Sequence, residues 1–355
     1  MKDIIIKSST DNTQYSELVS NYILTALPHV QQTSSSIKHG VFESIMGTRN
    51  LRQGPRPNII MQGDIMKNIS IKINEDQTIV GLTAIGPKKT KDDETVDLAE
   101  LSMLRTLKCL YDTISQYYPN VMFVLRLEDY TGHYFEGYHK HEMMDTYIND
   151  LSMMIRILGF SSFIQVVRES EMGSYIEFVE LSDEYLNLML RYLHASTGLS
   201  DKDRLALEEY KILKFAGWSG VVHDETRAHY INTYQKLYGV SDHEASWMMA
   251  RYFASALARK VLAMTGHTNP DFRFTFAPGV PQAGEYAMNY RTIPMKESKF
   301  HVAPWRAKGF FKIDENNRVR ISVRSWNDLP EQYERGSISL SNSTEALMIK
   351  ADYIL

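Results

Sequence analysis

VMFVLRLEDYTGHYFEGYHKHEMMDTYIND, residues 121–150, carries the pattern from which the fold class follows. It opens with an apolar run that stops abruptly at Glu128 and Asp129, and an apolar pattern of helical period begins near His141. A buried strand that ends in acidic residues and leads into a helix is typical of the active-site edge of an α/β enzyme, because ligands collect beyond the carboxyl ends of such strands. A solvated loop between a strand and a helix fits the same pattern about as well.

The segments on both sides continue the alternation of strand and helix. Residues 96–118 form a strongly amphipathic pattern with Asp97 as a candidate N-cap, which predicts a helix. A second helix is predicted from about residue 141 to 158, ended by Gly159, and the apolar segment 160–167 predicts a further strand. Strand, helix and strand in this order predict a right-handed βαβ unit with parallel strands.

Two further regions have different characters. Residues 68–84 alternate apolar and polar positions around an Asn-Glu-Asp-Gln turn, which predicts a β-hairpin. Residues 182–266 have a nearly continuous helical pattern, in which Ser182, Ser200 and Ser241 are candidate N-caps. Glu244 lies three residues after Ser241 and completes a predicted capping box.

The last third of the chain is predicted to be rich in strands. FRFTFA, residues 272–277, alternates cleanly, and further strand patterns lie on both sides of a turn at residues 314–317. These strands either extend the central sheet or form a second one. The fold class predicted is α/β, with a Rossmann-like mixed sheet, a helical insertion and a β-rich C-terminal third. Its parts are an N-terminal helical and loop segment (1–67), an α/β core (68–181), a helical region (182–268) and a β-rich part that completes the core (269–355).

Charge and composition exclude several classes of function. The chain of 355 residues has a net charge of −4, so it lacks the basic bias of a general nucleic-acid or membrane-surface binder. No apolar run approaches the ~18 residues of a membrane span, and the N-terminus turns polar too soon for a signal peptide. Cys109 is the only cysteine, which excludes an intrachain disulfide and a thiolate metal centre. We expect a cytoplasmic protein whose oligomeric state the sequence leaves open.

Imidazole and carboxylate side chains, which suit zinc or non-haem iron, lie close together at His133, His139, His141 and Glu142. No His-Glu-x-x-His helix accompanies them. Whether the segment is extended or helical, these side chains point in different directions and do not close into a three-ligand site. We therefore expect a protein that needs no metal, and a metal-dependent oxygenase or hydrolase built on this segment is the alternative.

Motifs for nucleotide binding and for nucleophilic catalysis are absent from the sequence. The chain has no Walker loop, and no glycine fingerprint follows a predicted strand. Gly-Trp-Ser-Gly at residues 217–220 resembles a nucleophile elbow only superficially. No cofactor is therefore expected.

Cationic residues indicate the binding of anions. Arg273, Arg291 and Arg306 lie on or beside C-terminal β segments, and Lys88 and Lys89 lie in an earlier loop. Guanidinium groups hold carboxylates and phosphates in bidentate geometry, so these residues suit an amino acid or a sugar phosphate. Arginines on strands also commonly occupy the solvated face of a sheet.

The order of several short motifs resembles the pyoverdine/dityrosine biosynthesis family, which includes the bacterial isonitrile (isocyanide) synthases. The similarity extends from Ile69 to about Trp326. IGPKKTK (residues 85–91) matches a proline- and lysine-bearing loop of the family, and RLEDYTGHYFEGYHKHEMMDTY (126–147) matches its strand, Asp-containing turn and helix. EEYKILKFAGWSGVV (208–222) matches an aromatic Ala-Trp-Ser segment, and FRFTFAP, YRTIP and FHVAPWR match C-terminal segments that carry arginine and proline.

The chain departs from the family in three of these motifs. The family's Ser-Asp-Gly turn is Glu-Asp-Tyr at residues 128–130, and its Pro-Trp-His segment is Pro-Trp-Arg at residues 304–306, with a histidine instead at His301. The family's Lys-Ser-Pro-Asn loop keeps only its proline and lysines. These differences leave open a changed substrate or reaction, and also a non-catalytic partner that retains the fold.

The resemblance implies an enzyme of secondary metabolism in which the amino group of an α-amino acid condenses with the carbonyl group of a pentulose phosphate. Such chemistry needs a phosphate site, a carboxylate clamp and groups that transfer protons. The candidates are Glu128, Asp129, Tyr134 and His301 for proton transfer, Lys88 and Lys89 for phosphate, Arg273, Arg291 and Arg306 for the carboxylate, and Tyr130 and Trp305 for stacking on an aromatic side chain.

Overall fold

The computed structural model describes most of the chain, in separate ranges. These are residues 5–8, 36–47, 51–52, 56–86, 95–136, 141–194, 235, 239–241, 244–245, 248, 251, 254–255, 258–259, 261–262, 270–276, 288–292, 303–313, 315–316, 319–325 and 329–354. Within them, no helix is both long enough and apolar enough to span a membrane.

Helices and strands alternate through the first half of the described chain, and strands dominate its end. The helices are α1 (Ile37–Met46), α2 (Ile59–Asn74), α3 (Leu98–Ser115), α4 (Asp129–Glu136), α5 (His141–Ile157) and α6 (Tyr175–His194). The strands are β1 (Ile5–Ser8), β2 (Ile79–Ile85), β3 (Val121–Leu127), β4 (Ile164–Arg168), β5 (Phe272–Thr275), β6 (Met288–Asn289), β7 (Ala307–Ile313), β8 (Val319–Ser325), β9 (Tyr333–Glu334), β10 (Ser337–Ser341), β11 (Ala346–Lys350) and β12 (Asp352–Ile354).

The described strands form three sheets. The largest has five strands in the order β4-β3-β2-β5-β6, and the pairs β2–β5 and β5–β6 are parallel. The other two have the orders β1-β10-β11 and β8-β7-β12-β9. The sequence leaves open whether the C-terminal strands extend the central sheet or form a second one, and both occur. Strands β5 and β6 extend the central sheet, and the later strands belong to the other two sheets. This arrangement confirms the predicted α/β class with a β-rich C-terminal third.

The chain divides into two compact units. The first contains residues 1–125, 145–166 and 269–355, and it holds the sheets and most of the described helices. The second contains residues 126–144 and 167–268, which include α4 and α6. Most of the described residues between 235 and 261 are also helical, as the sequence predicts for this region.

Helix α3 begins where the sequence predicts. Asp97 Oδ1 accepts a hydrogen bond from Ala99 N at 2.6 Å, and Glu100 Oε2 accepts one from Asp97 N at 3.0 Å, which forms a capping box. The second carboxylate oxygen of Asp97 accepts from Gly309 N at 3.3 Å. The cap therefore also fixes β7 to the start of α3.

The strand that leads to the candidate site is buried on both faces. Every residue of β3 except Met122 is buried, as expected for a strand within a covered α/β sheet. The ring of Phe123 packs edge-on against Phe272 and Phe274 of β5, with centroid distances of 6.4 and 5.8 Å. Gly81 of β2 leaves space for this cluster, because an added Cβ would lie 2.4 Å from the ring of Phe272.

The predicted hairpin at residues 68–84 is wrong. Its first half belongs to helix α2, its second half is β2, and the polar turn joins them. The apolar residues of this region also recur at four-residue spacing, so Ile65 and Ile69 lie buried on one face of the helix. Asn58 caps the helix by accepting a hydrogen bond from Met61 N at 2.9 Å.

Of the three predicted serine caps, Ser241 is correct, Ser182 is wrong, and Ser200 lies outside the described residues. Ser182 lies inside α6, where its hydroxyl donates to the carbonyl oxygen of Phe178 at 2.6 Å, so the prediction that it starts a helix is wrong. Ser241 and Glu244 do form the predicted capping box. Ser241 N donates to Glu244 Oε2 at 2.9 Å, and Glu244 N donates to Ser241 Oγ at 3.3 Å.

Candidate active site

The two acidic residues that follow β3 lie in the second unit, at the start of α4. The carbonyl oxygen of Glu128 accepts the first helical hydrogen bond, from Gly132 N at 2.9 Å, and Asp129 is the first residue of the helix. The two acidic residues are only 6% and 1% exposed. Buried carboxylates are tolerated only where cations or hydrogen-bond donors replace the lost hydration, so their partners define the site.

One arginine lies against two buried carboxylates. Arg259 Nη1 is 2.5 Å from Glu128 Oε1 and 3.1 Å from Glu169 Oε1. Arg126 Nη2 lies 3.4 Å from the same oxygen of Glu128. Glu169, which is fully buried, directly follows β4. These four residues and Thr131 form what we term the Glu–Arg cluster.

Thr131 connects the cluster to helix α4. Its backbone N and its hydroxyl both donate to Glu169 Oε2, at 3.2 and 3.3 Å. The same hydroxyl oxygen accepts a hydrogen bond from Arg259 Nη1 at 3.0 Å. Glu169 therefore satisfies one of the free N–H groups at the start of α4, where a negative charge is also favoured by the helix dipole.

The environment of Glu169 changes its affinity for protons. Burial raises the pKa of its carboxyl group to about 7, and the negative charge of Glu128 adds to this rise. The guanidinium groups of Arg259 and Arg126 and the hydrogen bond from Thr131 N act in the opposite direction. A carboxyl group with a pKa near neutrality is suited to acid–base chemistry, and such shifts concentrate at functional sites.

Asp129 belongs to a second set of contacts, which joins the residues after β3 to those after β4. Its Oδ2 atom accepts from Arg168 Nε at 3.2 Å and from Ser170 Oγ at 2.5 Å. Its Oδ1 atom accepts from Ser170 N and Tyr130 N, both at 3.1 Å. Both oxygens of this carboxylate are thus occupied by donors of the protein, which favours a structural role for Asp129.

Aromatic residues lie beside these acids on α4 and α6. The hydroxyl of Tyr130 donates to the carbonyl oxygen of Gly173 at 3.0 Å, and its ring lies 4.9 Å from that of Tyr175. The hydroxyl of Tyr134 donates to Asp183 Oδ1 at 2.7 Å. Burial and this hydrogen bond raise the pKa of Tyr134, so its phenol stays protonated across the physiological range.

The structure places four of the predicted site residues together, and three more in the first unit. Glu128, Asp129, Tyr130 and Tyr134 all lie in or directly before α4. In the first unit, Arg291 Nε donates to the carbonyl oxygen of Arg52 at 3.0 Å, and Arg273 is half-buried on β5. The first unit also contains Trp305, which is buried next to Gly86.

The remaining predicted residues cannot be placed in the same way. Lys88, Lys89 and His301 lie outside the described residues, as does the side chain of Arg306. The convergence of arginines and lysines on one anion site stays a prediction. The same holds for the alternative metal site, because the side chains of its residues between 133 and 142 are also outside the described part. Among the residues that are described, no group of three metal-ligating side chains occurs.

Several residues of the site were not predicted from the sequence. Arg168 and Glu169 end the second predicted strand with charges, as Glu128 and Asp129 end the first, and β3 and β4 are neighbours in the sheet. Charged residues at the ends of two neighbouring strands are the signal that would have indicated contacts between these side chains. Arg259 lies 90 residues from Glu169 and has no comparable signal.

The fold and the cluster define an α/β protein with buried carboxylates directly after two neighbouring strands of its central sheet. Among solved structures, the chain is similar to the PvcA protein from Pseudomonas aeruginosa, with a TM-score of 0.52 and 15% sequence identity. The similarity covers 82% of this chain and 92% of that chain. No family model matches the sequence, and no curated protein matches it either. The structural likeness shows a shared fold.

Proposed function

We propose that the protein is a biosynthetic enzyme of secondary metabolism that modifies an α-amino acid by a reaction of the isonitrile synthase type. The observation that carries the proposal is the structural likeness to PvcA, which extends over most of both chains. The order of short motifs between residues 69 and 326 resembles the family that includes the isonitrile synthases, and this resemblance supplies the class of reaction.

The first step of such a reaction is the formation of an imine. The amine nitrogen of the amino acid attacks the carbonyl carbon of a pentulose phosphate, and loss of one water molecule leaves the carbon–nitrogen double bond. Attack needs an acceptor for the amine proton, and the departure of water needs a proton donor. A carboxyl group that exists in both protonation states near neutral pH can serve both needs.

We assign this proton transfer to the Glu–Arg cluster. Glu169 has the near-neutral pKa but is fully buried, whereas Glu128 is slightly exposed and shares Arg259 with it. In the proposed arrangement, Glu128 contacts the substrate, and Glu169 is a positioning residue that sets the charge beside it. Tyr134 and His301 are the further candidates for proton transfer.

The other substrate contacts follow from the resemblance to the family. Lys88 and Lys89 are proposed to bind the phosphate group, and Arg273, Arg291 and Arg306 to provide the fork that holds the amino-acid carboxylate. Tyr130 and Trp305 are proposed to stack on an aromatic side chain of the substrate. None of the proposed steps requires a cofactor.

Metabolite profiling tests the proposal directly. A host that expresses the gene is grown with isotopically labelled pentose, and new metabolites are identified by mass spectrometry. The expected product retains the side chain of one amino acid and contains one additional labelled carbon atom. A new product without that label, or the absence of any amino-acid-derived product when the purified protein is given amino acids and pentulose phosphate, would contradict the proposed reaction.

Matched variants test the assignment of residues. Glu128→Gln and Glu169→Gln are each expected to lower product formation at least about tenfold, because the first removes the carboxylate that exchanges a proton with the substrate and the second removes the titrating charge beside it. Glu171→Gln is the control, since Glu171 is an exposed carboxylate in the same short 3-10 turn as Glu169. If Glu128→Gln and Glu169→Gln form as much product as Glu171→Gln and the wild type do, the cluster does not take part in catalysis.

A further inference from the structure

Helix α2 in the first unit presents one exposed face. Successive residues of an α-helix are about 100° apart around its axis. From Ile60 onward, the exposed positions of α2 fall within a stripe roughly 100° wide. The buried Ile65 and Ile69 lie on the opposite side of the helix. The residues of this stripe, termed the α2 face, are Ile60, Gly63, Asp64, Lys67, Ile71 and Asn74.

The α2 face combines apolar ends with opposite charges at its centre. Ile60 is 77% exposed and Ile71 is 42% exposed, and they lie three turns apart. Asp64 and Lys67 lie between them, and the ion pairs formed within the described part of the chain include neither residue. A single exposed isoleucine is common on protein surfaces, but two on one stripe with charges between them form a pattern.

The spacing of this pattern is that of a helix–helix contact. Positions 60, 64, 67 and 71 are separated by four, three and four residues, which is the spacing of the seam in a two-stranded coiled coil. Two helices with such a seam pack at about 20° to each other, with their axes about 8–10 Å apart. Gly63 lies beside the seam, and an added Cβ there would meet no atom within 4 Å, so this flank is open to a partner helix.

The face is complementary to itself when two copies run antiparallel. The register that sets Ile60 opposite Ile71 of the partner subunit also sets Asp64 opposite Lys67 of the partner subunit. Because a twofold axis relates the copies, each of these pairs occurs twice. One register thus joins the apolar ends and pairs the opposite charges, and a shift by one turn would lose both matches.

We propose that the protein forms a homodimer through an antiparallel, twofold-symmetric contact between the α2 faces of two copies. A single pair of helices buries less than the ~1,000 Å² typical of stable interfaces, so the dimer is weak and forms at high protein concentration. The central charge pairs set the register and exclude parallel pairing, in which like charges would meet. This interface is independent of the reaction proposed above.

Charge exchange in the full-length protein tests the interface by sedimentation over a wide range of concentrations. Asp64→Lys and Lys67→Asp each place two like-charged pairs at the contact, and each is expected to weaken dimerisation at least about tenfold. The double variant, with both changes in one chain, restores opposite charges and is expected to dimerise like the wild type. An equimolar mixture of the two single variants is expected to form a mixed dimer, since their faces then carry opposite charges.

A second comparison tests the apolar part of the contact. Ile60→Gln is expected to weaken dimerisation, whereas Ile59→Gln is the control. Ile59 is even more exposed, at 86%, but it lies about 100° around the helix from Ile60 and outside the seam. Thermal unfolding of each variant shows that the fold is unchanged. A protein that stays monomeric at all concentrations, or a dimer that the charge reversals and Ile60→Gln leave unaffected, would overturn the proposal.

Discussion

Arg259 Nη1 lies 2.5 Å from Glu128 Oε1, although the two residues are far apart in the sequence. The same nitrogen atom also contacts Glu169 and Thr131, and Arg259 itself is only 8% exposed. One guanidinium group therefore compensates the charges of two buried carboxylates that follow neighbouring strands. The stability of the second unit and the chemistry proposed for it depend on the same side chain.

Replacing Arg259 by Met is expected to destabilise the protein strongly. The change keeps much of the side-chain volume but leaves Glu128 and Glu169 with Arg126 as the remaining nearby cation of the cluster. Removal of one partner from a buried ion pair typically costs about 3–5 kcal/mol. Urea unfolding at neutral pH measures the loss.

Arg251→Met is the matched control for this experiment. Arg251 is exposed and lies over the ring of Tyr134, with 5.8 Å between the guanidinium carbon and the ring centroid. Loss of an exposed cation–π contact costs at most about 1 kcal/mol. If both variants unfold at the same urea concentration, Arg259 does not compensate the buried charges.

The raised pKa of Glu169 predicts a characteristic dependence of stability on pH. The pKa is 4.5 for an ordinary glutamate and about 7 in the folded protein. Between these values the folded state binds more protons than the unfolded state, so the free energy of unfolding contributed by this group falls as the pH rises from about 4.5 to 7. Above this window the contribution is constant, and it is largest below the unfolded pKa.

Unfolding experiments across this pH range isolate the contribution of Glu169. In Glu169→Gln the position does not titrate, so the difference in unfolding free energy between wild type and variant should change between pH 4.5 and 7, by on the order of 3 kcal/mol at most. Glu171→Gln should keep the wild-type slope. Parallel curves for wild type and Glu169→Gln would show that the Glu169 carboxyl group has an ordinary pKa.

Asp97 and Arg259 show which interactions can be predicted from the sequence. The capping box at Asp97 depends on Glu100, three residues later, so the pattern is local and the prediction is confirmed. The apolar run of β3 is equally local and gives the α/β class together with its flanking helices. Arg259 lies 128 residues from Thr131, and no local pattern relates the two.

The wrong predictions have physical reasons of the same kind. Alternating apolar residues at 68–84 also fit a four-residue helical spacing, and the tertiary packing of Ile65 and Ile69 decides for the helix. Ser182 resembles a cap, but its hydroxyl finds a carbonyl partner within α6. The burial of Glu128 and Asp129 depends on Arg259 and on the residues after β4, and a strand-end pattern alone does not reveal such partners.

Asp129→Asn is expected to destabilise the protein even though it preserves shape. Both oxygens of Asp129 accept hydrogen bonds, from Ser170 N and Tyr130 N on one side and from Arg168 Nε and Ser170 Oγ on the other. Whichever way the asparagine side chain is oriented, its NH2 group replaces an oxygen that accepted hydrogen bonds and lies against at least one N–H or O–H donor. The expected loss, measured by urea unfolding, is a few kcal/mol, on the order of that for a broken buried ion pair.

Ser170→Ala provides the comparison for Asp129→Asn. It removes one hydroxyl donor and leaves the carboxylate paired with Arg168, so the expected cost is only about 1 kcal/mol. A smaller loss for Asp129→Asn than for Ser170→Ala would show that the charge of Asp129 does not stabilise the fold.

Two glycine-to-alanine changes in the first unit are expected to have opposite effects. Gly309 of β7 lies against the start of α3, where an added Cβ would be 2.5 Å from Ala99 N and 2.5 Å from Leu98 Cβ. Because Ala99 N is a backbone atom, the contact can be relieved only by moving β7 away from the cap at Asp97. Gly309→Ala is therefore expected to destabilise the protein by about 1–3 kcal/mol.

Gly63→Ala makes the same chemical change at an open helical position. An added Cβ at Gly63 meets no atom within 4 Å, and alanine is the better helix former, so the variant is expected to be more stable by about 0.5–1 kcal/mol. The free energies of unfolding are compared in urea at low protein concentration, where the proposed dimer does not contribute. A loss of stability in Gly63→Ala, or none in Gly309→Ala, would contradict the packing of α2 or of β7 against α3.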